Sequence, residues 1–284
     1  MNTPATPPPR LASRPGSAVA RTVPGSVLTG LVVAVPVLVT LVGLVFAGAA
    51  DPGGTPSAPP GSGHPLGTDV LGRDVLDLVL RGGLSVLGMT SATLVLAYAV
   101  GVPLGLLAAH SRRWADETVM RGLDLLLAFP SLLLLMTLAA TGHRGTGTLV
   151  TAAAVVQLPA VTRLVRTAAL APGCRAAVEA LRMQGVPEWR VQGGYVARRA
   201  VGPLVTDAGS RFGLVLYLLA SANFLGLGLP PDSADWAVVV ERNTDALFLQ
   251  PAAVLVPAGL LMTLCVGGNL AADRFLARQG RRGR

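Results

Sequence analysis

The side chains able to do chemistry are few and poorly spaced for it. His64, His110 and His143 lie at separate loop edges, and Cys174 and Cys265 each stand alone. Neither set has the spacing of a metal site, and two isolated cysteines do not make a disulfide framework. All 23 basic residues are arginine. A Walker A loop needs a lysine on the phosphates, so the chain lacks that means of holding ATP. No nucleophile elbow is present; a dispersed Ser-His-Asp set is the one nucleophilic arrangement left open. The expectation is no enzyme activity, no metal and no cofactor. What remains is a site for docking. The stretch RAAVEALRMQGVPEWR, Arg175 to Arg190, is polar and helical in pattern, with a Gly-Val-Pro step inside it. Ala176, Ala177, Ala180 and Met183 fall near one another on a helix and offer a small apolar face. Glu179 sits on another side, available to an arginine of a partner or to a neighbouring helix end. Gly185 suits a helix end, Pro187 suits the first position of a second helix, and Glu188 favours that helix's N-terminal dipole. The predicted shape is a helix–turn–helix elbow.

The elements that hold this elbow are apolar. Hydrophobic residues make up 51% of the 284 and charged residues only 13%, about half the charged fraction of a soluble domain. Six runs are close to the ~20 residues a bilayer requires. They are Val27–Ala50, Leu84–Ala109, Leu123–Ala140 (with Pro130 inside), Leu149–Val165, Phe212–Leu229 and Pro251–Ala272. The fold class expected is all-α, a polytopic membrane protein with six transmembrane helices. The chain divides into a Pro-rich disordered tail (1–25), a first transmembrane helix (26–50) and an extracytoplasmic linker with an interfacial helix (51–83). A five-helix core (84–276) follows, with the elbow at 174–199, and then a basic tail (277–284). Ala47-Gly48-Ala49 resembles a signal-peptidase site, but the apolar run is longer than a signal peptide's, so a retained span is favoured. His64–Gly83 interleaves Leu and Val with Asp69, Asp74 and Asp77, the pattern of an amphipathic surface helix, with Thr68 or Asp69 as its cap. Anchoring or gate support is its expected role.

The formal net charge is +8. The arginines cluster between apolar runs, which suits membrane topology better than nucleic acid. With both termini cytoplasmic, most arginines fall inside. Only Arg73, Arg81, Arg144 and Arg242 fall outside, among seven acidic residues. The elbow is then cytoplasmic. The span middles carry no Asp, Glu, Arg or His by this reading; Gln157, Asn223 and Asn269 are the strongly polar residues there. They are the candidates for lining a passage, with helix–helix glue as the commoner role for such residues. Ion-driven carriers normally keep ionisable groups in their spans, so energy is expected to enter from a cytoplasmic partner. A stand-alone secondary transporter and a membrane scaffold protein are the alternatives.

Four further stretches carry a resemblance. HPLGTDVLGRDVL before the second span, GVPLGLLAAH within it, LAFPSLLLL in the third and FLGLGLPPDSADW after the fifth occur in one order. With the elbow, they make His64 to about Phe275 similar to the permease subunits of bacterial ABC importers. The dipeptide/oligopeptide/nickel group is the nearest branch, and within it the second, C-type permease of the pair. The elbow matches that family's Glu-Ala-Ala, three residues, Gly motif as Glu179, Ala180, Leu181 and Gly185, with Leu181 in place of the second alanine. The family's later Leu-Pro is replaced by Ala197 and Arg198, and Pro203 stands further on. The resemblance implies a coupling helix docked on a separate ATPase, and import of peptides, nickel or a related small solute across the bacterial inner membrane. It also implies a second homologous permease as heterodimer partner, two ATP-binding subunits and an extracytoplasmic solute-binding protein. Phe224–Trp236 is then either a loop facing that protein or a plain turn with an interfacial Trp.

Overall fold

The computed structural model describes residues 25–46, 54–61, 63–111 and 113–282. The Pro-rich tail, the Ala47-Gly48-Ala49 site and residues 51–53 and 62 of the Pro/Gly/Ser linker lie outside the described residues. The described chain is helical throughout, with two isolated β-bridges. Its helices are α1 (Gly25–Phe46), α2 (Val75–His110), α3 (Arg113–Leu127), α4 (Ser131–Ala140) and α5 (Thr146–Ala169). There follow α6 (Pro172–Met183), the three-residue α7 (Glu188–Arg190), α8 (Ala197–Phe224), α9 (Trp236–Asn243) and α10 (Ala252–Arg282).

By length and composition α2, α5 and residues 252–272 of α10 can each cross a membrane. The third expected span is not one straight helix. It is divided between α3 and α4, which meet at an angle of 76°. Pro130 is the reason: it precedes α4, has no N–H to give to the turn before it, and pushes its own predecessor out of helical geometry. The first and fifth expected spans fall on α1 and α8. The apolar part of α1 is the shorter Val32–Phe46. The apolar Phe212–Phe224 is the second half of α8, whose first half carries Arg198, Arg199, Asp207 and Arg211.

The most extensive helix pairing is α2 on α5. Glycines make it possible. A Cβ on Gly101 would stand 2.7 Å from Val161 Cγ1, and one on Gly105 only 2.6 Å from Val165 Cβ and 2.7 Å from the Thr162 carbonyl oxygen. Between helices in lipid, attraction comes from close van der Waals contact, so small residues at the seam are what hold it. α8 packs on α2, α5 and α10, and α1 covers α2 and α10 from the outside.

At the end of the bundle where α2 begins, the expected surface helix over His64–Gly83 does not form. The helix starts only at Val75, as the opening of α2, with Asp74 as its cap: the Asp74 carboxylate accepts from Leu76 N at 2.7 Å. Thr68 and Asp69, the expected caps, are cross-links of a folded loop instead. Thr68 Oγ1 donates to the Thr55 carbonyl and accepts from Ala58 N. Asp69 Oδ1 accepts from Leu71 N and Arg73 N. A carboxylate that takes its own loop's N–H groups bends the chain back rather than starting a helix. Gly67 and Gly72 supply the positive φ this needs (75° and 78°). Asn243 and Gln250 then tie the loop to α9 and to the start of α10, through Val70 N and through the carbonyls of Ala58 and Leu66. Trp236 is fully buried beneath this cap and donates its Nε1–H to the Val79 carbonyl at 2.7 Å.

The glycine seam makes a direct prediction. Gly105→Leu forces α5 off α2 or breaks backbone geometry, a destabilisation of about 1–3 kcal/mol. The purified protein should show a lower midpoint in thermal unfolding, whereas the same substitution at Gly88, where a Cβ meets open space, should leave the midpoint nearly unchanged.

Candidate functional site: the elbow and a buried ionic network

α5 leads directly into the elbow. Pro172 opens α6. Its C-terminus closes at Gly185, with φ +75°. Val186 N bonds back to the Leu181 carbonyl at 3.1 Å and Gly185 N to the Arg182 carbonyl at 3.0 Å. These two bonds are the Schellman closure, which needs a residue at ease in the left-handed region. Pro187 follows as the residue that caps α7 rather than as its first turn. A π-helical turn, Val191–Val196, then carries the chain into α8. Gly193 and Gly194 lie in this wider turn.

The small apolar face of Ala176, Ala177, Ala180 and Met183, read from sequence as a surface for a partner, is not the side that packs on the bundle. Cys174, Val178 and, partly, Leu181 pack inward against Ala169, Val191 and Val196, with Leu106 and Ala109 of α2 nearby. Ala176 and Glu179 are exposed, Ala177 and Ala180 half-buried, and Met183 is 84% exposed. The inward spacing 174–178–181 rotates the alanine stripe to the side. Trp189, not singled out by sequence, is 69% exposed on the same elbow. Glu179 is exposed and makes no hydrogen bond or ion pair among the described residues.

A charge cluster pins the elbow to α2. Arg182 donates to both oxygens of Glu188, at 2.7 and 3.1 Å. Gln192 Nε2 donates to Glu188 Oε1 at 2.9 Å. His110 Nδ1, in the last turn of α2, lies 3.1 Å from Glu188 Oε1 and 3.1 Å from Arg182 Nη2. The Arg182 hydrogen bonds, and then that of Gln192, lower the Glu188 carboxyl to about 2. A short row of ion pairs joins α3 to α5 as well. Arg166 holds both oxygens of Asp116, at 2.6 and 2.5 Å, and Arg163 pairs with Asp124.

Deeper in the bundle, just before the expected fifth span, α8 carries an ion pair held against α2 and α5. Arg211 of α8 grips Asp207, one turn before it, through Nε and Nη2, both at 2.7 Å. Tyr98 of α2 donates its hydroxyl to Asp207 Oδ2 at 2.5 Å, and Arg211 Nη1 donates to Gln157 Oε1 of α5 at 3.0 Å. Tyr98 and Gln157 both lie roughly 18 Å along their helices from the elbow end, at 1.5 Å per residue. The fifth run was started at Phe212, just past Arg211, because charge itself marks the edge of a hydropathy window. The signal available was the i,i+4 spacing of Asp207 and Arg211 in a helix that continues without a break. Of the three polar candidates, only Gln157 belongs to this network. Asn223 is buried near the opposite end, where a Cβ on Gly228 would approach its Oδ1. Asn269 packs its amide against Gly213 of α8. The structure does not bring the three together.

Because the folded-state value of Glu188 is depressed, its share of elbow stability is full above 4.5 and is lost only as pH falls towards about 2. Glu188→Gln removes that share at neutral pH. An exposed pair is worth under about 1 kcal/mol. Amide hydrogen exchange over residues 184–192 should therefore quicken by up to ~5-fold, with the middle of α2 unchanged, and the difference should shrink as pH is lowered through that window.

Comparison with known proteins identifies the family and the fold. Residues 101–280 match the family described as binding-protein-dependent transport system inner membrane component. The glutathione transport system permease protein GsiD of Pectobacterium atrosepticum is 30% identical over 75% of this chain and 71% of its own length. The di/tripeptide transport system permease protein DppC of Pseudomonas aeruginosa is 33% identical over 73% of this chain and 69% of its own. The probable D,D-dipeptide transport system permease protein DdpC of Escherichia coli is 30% identical over 76% and 72%. Among solved structures, the MetNI methionine ABC transporter in inward-facing conformations shares the fold. Its TM-score is 0.59 at 19% identity, over 71% of this chain and 95% of that one. The family decides against the stand-alone secondary transporter. The chain belongs to the inner-membrane permease components of binding-protein-dependent ABC importers, as a polytopic subunit that is not itself the ATPase and that works with an ATPase and a solute-binding protein.

Proposed function

We propose that this permease carries short peptides, or a related small solute such as a nickel complex, and receives its driving force through the Glu179–Gly185 elbow on the cytoplasmic side. The cargo reading is supported by the relatives, which are described as permeases for glutathione, D,D-dipeptides and di- or tripeptides. The arginine distribution supports cytoplasmic termini and a cytoplasmic elbow, with α1 and α8 crossing the membrane beside α2, the α3–α4 pair, α5 and α10. A second homologous permease completes the pore, two ATP-binding subunits sit beneath the pair, and the solute-binding protein meets the opposite end, where residues 54–74 and 225–250 lie.

The observation that carries the reading is the exposure pattern of α6. Its inward side is packed on α2 and the π-helical turn, while Glu179 and Met183 present an unpaired carboxylate and a large apolar side chain outward. Exposed Met and Trp beside an unpaired charge form the kind of patch that partners cover. Leu181, where the family motif has alanine, serves the inward side instead. It packs with the elbow's core and accepts the Val186 N–H through its carbonyl. Closure of the ATPase pair would move α6, and His110–Glu188 and α8 would pass that movement to the spans, as a two-state element biased from outside.

The reading is tested in the reconstituted complex of both permeases, the ATPase and the binding protein. Glu179→Arg should cut stimulation of ATP hydrolysis by loaded binding protein at least ~10-fold, because it reverses a charge at the contact. Gly185→Val strains the φ +75° closure and should uncouple hydrolysis from uptake while leaving the α2–α5 seam intact. Normal coupled uptake by both variants would place the ATPase contact elsewhere.

A further inference from the structure

An ionised pair at mid-membrane is costly unless it faces a water-filled cavity or is sealed inside the bundle. Sealing within this chain does not account for the Asp207–Arg211 pair. Arg211 and Gln157 are buried, but 19% of the Asp207 side chain is exposed and Tyr98 is only half-buried. Hydrocarbon against that open carboxylate edge would replace its hydration with nothing. Gln157 adds a second sign. Its carbonyl oxygen is taken by Arg211, so its two N–H donors point to the other side, and no partner for Nε2 occurs among the described residues.

We infer that Tyr98, Gln157, Asp207 and Arg211 line the water-filled passage at mid-membrane and form a weak polar contact site for a zwitterionic or carboxylate-bearing solute. The weakness is built in. A free guanidinium would hold a carboxylate by a bidentate pair. Here Asp207 already occupies two nitrogens of Arg211, and Gln157 takes the third. Conduction needs attraction strong enough for entry and weak enough for release. What the network offers the cargo is the Gln157 N–H donors for a carboxylate or carbonyl, and the open edge of Asp207 for an ammonium. The identity of the cargo rests on the peptide reading above; the position on the passage rests on the network alone.

The test uses the complete complex with Cys174→Ser and Cys265→Ala as background. Gln157→Cys should react with a membrane-impermeant methanethiosulfonate reagent at least ~10-fold faster than Val215→Cys, whose parent side chain is fully buried, and the rate should differ between nucleotide-free and vanadate-trapped complex. Background labelling of Gln157→Cys in both states overturns the inference. A second arm follows uptake of Ala-Ala and of its C-terminal amide by Asp207→Asn. Unmasking Arg211 should lower both the apparent KM and the maximal rate for the free peptide, with little change for the amide. An equal loss of maximal rate for both probes, with a lower yield of complex, would assign the pair to packing and overturn the contact site. If the wild type takes up neither probe, the peptide reading falls, and the labelling arm still decides the passage.

Discussion

The glycine-to-valine seam between α2 and α5 is the constraint from which the rest of this molecule is built. At Gly101 and Gly105 the two helices approach so closely that a single Cβ would collide with Val161, Val165 or the Thr162 carbonyl. In lipid no hydrophobic effect drives helices together, so this contact has to come from shape. Everything with a functional role hangs from that pair. α5 runs on into α6, α2 supplies His110 to hold Glu188, and α8, which leaves the elbow, returns between them. A movement delivered to α6 therefore has a stiff frame to act on.

Both ends of that frame are finished by polar groups, in different ways. At the elbow end the bonds are exposed or half-exposed ion pairs, such as Arg182–Glu188 and Arg121–Glu117. They are individually weak, which suits the movement proposed for this surface. At the other end the bonds are buried. Asp69 is fully buried between Arg73 and Arg242, at 3.0 and 3.2 Å. Asp235 caps α9 and accepts from Ser85, and its burial, before anything else, raises its pKa. Burial, and then the neighbouring Arg73, lower that of Arg242. Loss of one partner from such a cluster leaves an unpaired buried charge, so this end holds one arrangement. Buried ion pairs join residues 54–74 to α9, and exposed ones lie at the end proposed to meet the ATPase.

Much of the elbow could be read in one dimension. Gly185 and Pro187 punctuate the chain wherever it is placed, because their backbone restrictions are local. The break at Pro130 was visible as a residue, yet its 76° consequence was not, since neighbouring helices can absorb a proline without such a bend. The cap at Asp74 rather than Thr68 or Asp69 was hidden for a related reason. All three residues suit a helix start, and the choice depended on which carboxylate was already engaged by the loop. The inward face of α6, formed by Cys174, Val178 and Leu181, is no more apolar in pattern than the alanine stripe. Only the position of the π-helical turn selects between them.

By itself the sequence determined the solvent, the helical class and the absence of a lysine-based ATP site, and it marked the segment proposed to receive the driving force. These follow from composition and from residues within a turn or two of one another. Tertiary structure decided which polar groups meet. Tyr98 finds Asp207 across 109 positions, Arg211 finds Gln157 across 54, and Val70 finds Asn243 across 173. A charge or amide inside a membrane must be satisfied by whatever the packed helices bring within about 3 Å of it. That partner is set by helix contacts such as the α2–α5 seam, and no local pattern in the chain encodes it.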